Sequence, residues 1–183
     1  MDIIKEHLYT EQEFENIQNN FNGKCEYDNG SIFLSSNTSI EHNRIKRRIL
    51  SKLDDYFKDK QCEPFDEQIE VIFQNNEEMY KYKPDIFVVC GDKKRRGESF
   101  ISVPTMIFEI VSKSTASHDY ITKLAVYQKF KVKEYNIVEQ SGKIIQYSLV
   151  EDQYMINDVY KNNDIFVSSV YEDLKIQMKE IFN

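Results

Sequence analysis

Residues able to do chemistry recur at regular spacing in the middle third of this 183-residue chain. Asp85 follows Lys83-Pro84 and opens the apolar run Ile86-Phe87-Val88-Val89-Cys90. Glu109 sits inside a second run, Thr105-Met106-Ile107-Phe108-Glu109-Ile110-Val111. Asp119, Lys123 and Tyr127 follow at four-residue spacing. Two carboxylates can hold a hard divalent cation such as Mg²⁺ or Mn²⁺, and a lysine can help generate or steady an attacking hydroxide. These are the parts that metal-assisted phosphodiester hydrolysis requires.

Each residue also has a plainer explanation. Strand alternation sends Met106, Phe108 and Ile110 to one side and Thr105, Ile107, Glu109 and Val111 to the other. Both sides are otherwise apolar, so Glu109 needs a cation or a strong set of donors, and a salt bridge to Arg or Lys would satisfy it. Asp85 could cap a turn. Asp119 and Lys123 could form an ordinary helical ion pair worth about 0.2–0.5 kcal/mol. Tyr127 could be a core tyrosine, His42 and His118 capping or surface residues, and Glu26 an exposed strand residue.

The elements that must position these groups can be read from pattern. Thr10-Glu11-Gln12-Glu13 is a capping box that starts a short helix. Asn29-Gly30 makes a tight hairpin between Cys25-Glu26-Tyr27 and Ile32-Phe33-Leu34. Ser39 caps a helix running to about Lys60, with Ile40, Ile45, Ile49, Leu53, Tyr56 and Phe57 near one face. Strands follow at 69–73, after Pro84 and after Thr105, and Pro84 belongs at a strand start because it has no amide to donate. Residues 92–102 read as an exposed loop. Ser114 to Ser117 offer caps for a helix over 118–130. Strands over 135–138, 143–150 and 154–160 form a meander, and Met178 to Phe182 is expected to close an edge. No internal repeat or linker divides the chain. The pattern predicts one α/β domain built around a mixed sheet.

Composition narrows the classes. With 40% hydrophobic and 30% charged residues, the chain has the make-up of a soluble globular domain. No 18-residue apolar run or signal-like N-terminus is present, so a cytoplasmic protein with no membrane span is expected. The three cysteines, Cys25, Cys62 and Cys90, lack metal-ligand spacing and are expected as buried thiols. A net charge of −7 does not suit nucleic acid over the whole surface, so binding would need a local patch. Arg44, Lys46, Arg47 and Arg48 form one basic run, and Lys93 to Arg96 another. A solvated helix face or exposed loop is the plainer account of both.

The order of these pieces resembles the PD-(D/E)XK nuclease superfamily: a Pro-Asp strand start, a mid-strand Glu, and then a helix carrying Lys. Within it, several segments together resemble the Uma-type restriction endonuclease family. They are Glu26-Tyr27-Asp28-Asn29-Gly30, Ser39-Ile40-Glu41-His42, Lys83-Pro84-Asp85-Ile86, Glu109-Ile110-Val111-Ser112, Asp119, Lys123, Tyr127 and Val132-Lys133-Glu134-Tyr135. The match runs from about Cys25 to the C-terminus. The resemblance implies a restriction-endonuclease-like α+β fold, a mixed sheet with helices on both sides and an N-terminal β-hairpin. It implies one domain over 1–183, with a helical extension at 1–22 and a nuclease-like core at 23–183. It implies DNA as substrate and Asp85 and Glu109 as ligands of Mg²⁺ or Mn²⁺, with the Ile110 carbonyl as an extra ligand.

The superfamily's lysine stands two positions after the acidic residue. Val111 is there instead, and the family's placement on the next helix points to Lys123. Glu26, His42, Ser112, Asp119 and Tyr127 match positions that recur in the family and would support the site or face substrate. Lys113, Asn136 and Val138-Glu139-Gln140 depart from the family pattern without removing a proposed ligand. A symmetric dimer would suit cleavage of both strands. A catalytically inactive nuclease fold, binding nucleic acid or another protein, is the alternative reading.

Overall fold

Met106–Val111 is buried along its whole length, and its side chains divide between two cores. The computed structural model describes residues 7–35, 39–112 and 115–183. This strand is β9 in an order that begins with α1 (Glu11–Asn20), β1 (Lys24–Asp28), β2 (Ser31–Ser35) and α2 (Ile40–Phe57). Next come β3 (Glu63–Asp66), β4 (Val71–Gln74), β5 (Met79–Tyr82), β6 (Ile86–Val89), β7 (Arg95–Arg96) and β8 (Ser99–Phe100). After β9, a π-helical segment (His118–Lys123) runs into α3 (Leu124–Lys129). The chain ends with β10 (Glu134–Glu139), β11 (Lys143–Val150), β12 (Gln153–Lys161), β13 (Ile165–Val167), β14 (Lys175–Gln177) and α4 (Met178–Phe182).

The central sheet has the order β12-β11-β10-β9-β6-β3. β9 and β10 run parallel and the other neighbours antiparallel, so the sheet is mixed as expected. On one face Ile86, Val88, Met106, Phe108 and Ile110 pack against Ile45, Ile49, Leu53 and Phe57 of α2, with Met178 and Ile181 of α4 beside them. Each such buried side chain contributes roughly 1.5–3 kcal/mol. On the other face Phe87, Val89, Ile107 and Val111 meet Val126 and Tyr127 of α3 and Val71, Phe73 and Tyr82 of the second sheet. Helices therefore cover both faces.

The hairpin β1–β2 forms at Asn29 and Gly30, which take the positive φ values of 44° and 104° that an Asn-Gly turn needs. It is also the start of a second sheet, ordered β2-β1-β5-β4-β8-β7. Sequence pattern does not reveal this sheet. Met79-Tyr80-Lys81-Tyr82 hides as a strand because Lys81 looks like surface, yet it is 3% exposed and paired with Glu11 and Glu15. The expected loop over 92–102 contains the short β7–β8 pair, which joins the same sheet. The C-terminal segment is a helix instead of an edge strand: Met178 and Ile181, three apart, are both buried, as one helical face requires. Ile40, expected on the buried stripe of α2, is 80% exposed in its first turn.

Thr10 and Ser39 cap α1 and α2 as their sequences predict. Ser117 makes no side-chain capping bond, and Lys113 and Ser114 lie outside the described residues. The expectation of three thiols is corrected for two of them. Glu63 pairs with Val89, which sets Cys62 opposite Cys90, and these two form a disulfide; Cys25 is a buried free thiol. In β10, Glu134 is fully buried and saturated with donors. One of its oxygens accepts from Ser168 Oγ and the Ser169 amide at 2.7 Å, Ser169 Oγ at 2.9 Å and the Val170 amide at 3.2 Å. Asn136, a departure from the family pattern, donates to the other oxygen at 2.8 Å. Among the described residues no helix is long and apolar enough to cross a membrane.

Candidate active site

Asp85 owes its position to a ladder that stops. β6 pairs with β9 only as far as Ile86, opposite Phe108. Beyond that point Pro84 has no amide to offer, and the free Ile110 amide donates instead to Asp85 Oδ2 at 2.8 Å. His42, on the inner face of α2, holds the same oxygen at 3.0 Å. The Asp85 amide in turn donates to Glu109 Oε2 at 3.2 Å. The other Glu109 oxygen, Oε1, accepts from the Tyr127 hydroxyl at 2.8 Å and the Lys123 ammonium at 2.9 Å.

Asp85 Oδ2 and Glu109 Oε1 are thus pinned from behind, and Asp85 Oδ1 and Glu109 Oε2, the latter also held by the Asp85 amide, turn to a common point. The Lys24 ammonium stands there, 3.1 Å from Asp85 Oδ1, 3.8 Å from Glu109 Oε2 and 3.7 Å from Glu26 Oε1. Lys123 lies 3.0 Å from Glu26 and 3.4 Å from Asp119 as well, so it joins three carboxylates. The π-helical winding of His118–Lys123 and the following α3 bring Asp119, Lys123 and Tyr127 to one side. The plain helical ion pair considered from sequence is thereby corrected: Lys123 is 1% exposed and is shared among acids from three elements.

Electrostatics follow from burial. Glu26, Asp85, Glu109 and Asp119 are each at most 4% exposed. Burial pushes the Glu109 carboxyl up to about 7, against the opposing pull of Lys123 and Lys24. Burial acts upward on Asp85 too, but Lys24 and His42 outweigh it and hold that group far below the usual carboxylate range. Glu26 is held low in the same way, with Lys123 and Lys24 overcoming its burial. The four acids outnumber the two lysines by two charges. Burying such an excess is unfavourable unless a proton or a cation offsets it.

The group lines a cavity of about 780 Å³, with Phe33, Ser39, Ser112 and Gln140 on its walls. Ser112 is joined to Thr115, its amide donating to the Thr115 hydroxyl at 3.1 Å. A neighbouring cluster backs the wall: His118 bonds Asp28 at 2.7 Å, stacks on Phe33, and lies 3.7 Å from Glu26.

A hard divalent ion fits this donor set. Asp85 Oδ1 and Glu109 Oε2 already face one cationic point, and the excess charge is what such an ion would cancel. Among the described residues, no three His, Cys, Asp or Glu side chains are gathered as a ready metal cluster.

Sequence reasoning passed over Lys24. The available signal was alternation: Lys24, Glu26 and Asp28 share one face of β1, while Cys25 and Tyr27 turn to Phe14 of α1. The basic run is not one patch. Arg44 and Arg47 are exposed, Arg44 pairing with Glu41 one turn away, Lys46 pairs with Asp66 and Glu67, and Arg48 donates to the Ile181 carbonyl at 2.9 Å. In the second run Lys93 pairs with Glu63, Lys94 with Asp92 and Arg96 with Glu11.

Comparison with known proteins adds the following. A family model described as "Uma2: Putative restriction endonuclease" matches residues 11–179. Two uncharacterized proteins of Synechocystis sp. are similar to the chain. One is 24% identical over 141 residues, spanning 77% of this chain and 67% of the relative. The other is 28% identical over 145 residues, spanning 76% and 81%. A crystal structure described as a "putative nuclease belonging to DUF820" from Anabaena variabilis shares the fold, with a TM-score of 0.73 at 16% identity, over 95% of this chain and 97% of that one.

Proposed function

The chain belongs to the Uma2 restriction endonuclease family, and on that footing we propose that it is a Mg²⁺- or Mn²⁺-dependent DNA endonuclease with Asp85, Glu109 and Lys123 as its catalytic residues. The observation that carries the reading is the convergence of Asp85 Oδ1 and Glu109 Oε2 on one cationic point at the cavity floor. With the Ile110 carbonyl, these oxygens are the proposed ligands. When bound, such a cation supplies a Lewis acid that lowers the pKa of water and neutralises charge on a scissile phosphate.

The remaining steps belong to the protein. His42 and the Ile110 amide fix Asp85 Oδ2, so that Oδ1 faces the cavity. Tyr127 fixes Glu109 Oε1 in the same manner. Glu26 and Asp119 hold the Lys123 ammonium, whose proposed role is to orient the attacking water and to stabilise charge building on the phosphate. Substrate positioning falls to Ser112 on the cavity wall and to the exposed Arg44 and Arg47.

The second reading, an inactive nuclease fold serving as a binding module, draws on the ion pairs that occupy most of the basic side chains. Cleavage of plasmid and single-stranded DNA with Mg²⁺, Mn²⁺ or chelator separates the two. The proposal expects metal-dependent product that Asp85→Asn abolishes. Absence of cleavage on both substrates, with Mn²⁺ binding intact, favours the binding module.

A further inference from the structure

The two site lysines are held differently. Lys123 is 1% exposed and enclosed by three carboxylates, two of them at 3.0 Å or closer. The Lys24 side chain is 18% exposed and makes one close contact, to Asp85, with Glu26 and Glu109 at 3.7 and 3.8 Å. Its backbone is also less anchored. β1 pairs with β5 only at Tyr27 and Asp28, so at Lys24 the strand is bonded to β2 alone, opposite Ser35. Lys24 borders the cavity, and a lysine stem carries its charge over several ångströms by rotation of single bonds.

From this arrangement we propose that Lys24 is a tethered substitute cation, which occupies the divalent site in the metal-free protein, is displaced into the cavity when the ion binds, and there contacts a substrate phosphate. The inference rests on Asp85 and Glu109 being the cation's ligands. An ammonium cannot share the point, because a hard ion draws its oxygens to about 2.1 Å and repels a like charge beside it. Displacement separates Lys24 from Asp85, and a phosphate in the cavity offers a replacement acceptor. Metal entry and substrate capture become linked through one side chain. Lys123 stays in place throughout, held by Glu26 and Asp119 as well as Glu109.

The test is Mn²⁺ binding to metal-free protein by calorimetry, for the wild type, Lys24→Gln, Lys24→Arg and Asp85→Asn, with DNA affinity measured in parallel. Removing the competing charge in Lys24→Gln should tighten Mn²⁺ binding by at least about tenfold. The same variant should bind DNA more weakly in Mn²⁺, with a salt slope lower by about one. Lys24→Arg keeps the charge and should bind Mn²⁺ no more tightly than wild type, which also covers the case in which Lys24→Gln fails to fold. Mn²⁺ binding by Lys24→Gln that is unchanged or weaker overturns the proposal, as does tightening in Lys24→Arg. Wild-type Mn²⁺ affinity in Asp85→Asn is a different failure, since it removes the ligand assignment on which the inference stands.

Discussion

Replacing Lys123 with methionine tests the site's electrostatics as well as its chemistry. The substitution keeps an unbranched stem but removes the one cation that touches Glu26, Glu109 and Asp119 together, at 3.0, 2.9 and 3.4 Å. Lys24 is left to face four buried acids alone. Removing one partner of a buried ion pair costs about 3–5 kcal/mol. For a domain of this size each kcal/mol moves the melting temperature by about 2–4 °C, so a fall of roughly 6–20 °C is expected in metal-free buffer. The sign of its pH dependence follows from Glu109, whose carboxyl burial already pushes up to about 7. A carboxyl raised in the folded state favours folding at low pH and loses that contribution as pH rises through the folded value. Without Lys123 the group is raised further, so the destabilisation should be larger at pH 8 than at pH 6. Adding Glu109→Gln removes one unpaired charge, and the double variant should melt above Lys123→Met alone. Calorimetric melts of wild type, both single variants and the double variant at each pH are the assay. Plasmid cleavage in Mn²⁺, run beside them, is expected to be abolished by Lys123→Met. A fall of less than about 2 °C at pH 8 would mean less than the lower limit for an unpaired buried charge and would refute the reasoning.

In the wild type, Mn²⁺ at about a hundredfold over its dissociation constant should add about 2.7 kcal/mol and raise the melting temperature by roughly 5–11 °C. Asp85→Asn should abolish both that rise and cleavage; a retained rise would place the ion elsewhere. Reducing the Cys62–Cys90 disulfide, which closes a 28-residue separation, should cost about 2–4 kcal/mol in melts run with and without reductant. Cleavage at a temperature where the reduced protein is folded should persist, because Cys90 lies about 16 Å along β6 from Asp85; its disappearance there would contradict this. Arg44→Glu and Arg47→Glu should weaken DNA binding and lower the salt slope by about one for each phosphate that is no longer neutralised. Lys46→Ala and Arg48→Ala should lower the melting temperature instead, since those side chains hold β3 and α4. Equal effects of the two pairs on DNA affinity, read by fluorescence anisotropy, would reject the division.

Much of the scaffold was legible because it follows local rules. The capping residues Thr10 and Ser39, the Asn29-Gly30 turn and the alternation through Glu109 each act within a few residues. Asp85, Glu109 and Lys123 were legible as types at a spacing, and the structure brings Asp85 and Lys123 each within hydrogen-bond reach of Glu109. What went unnoticed were two other lysines. Lys24 and Lys81 drew no attention because burying an ammonium is costly, and only distant acids make it acceptable: Asp85 for the first, Glu11 and Glu15 for the second. The second sheet was hidden along with Lys81. The disulfide escaped because it depends on the register between β3 and β6, set by a pairing of strands far apart in sequence. The basic run was misleading as a patch because sequence adjacency on a helix disperses neighbours around its axis: of four cations, Lys46 and Arg48 turn toward β3 and α4.

The saturation of Glu134 by Ser168, Ser169 and Val170 has a consequence for how the chain is made. Glu134 lies in β10, bonded directly to the strand that carries Glu109. A nascent polypeptide that has emerged only through β12 holds this acid without any of the donors of its second oxygen. Water must solvate it until the residues 34 to 36 positions further along have emerged, so the middle of the sheet cannot close in its finished form while the ribosome is still adding the C-terminal segment. A polypeptide ending before Ser168 would hold an acid short of most of its donors beside the strand that carries Glu109, which makes it a target for proteolysis and not a smaller folded domain. Such an arrangement ties the organisation of the strand beside Glu109 to the synthesis of residues 168–170.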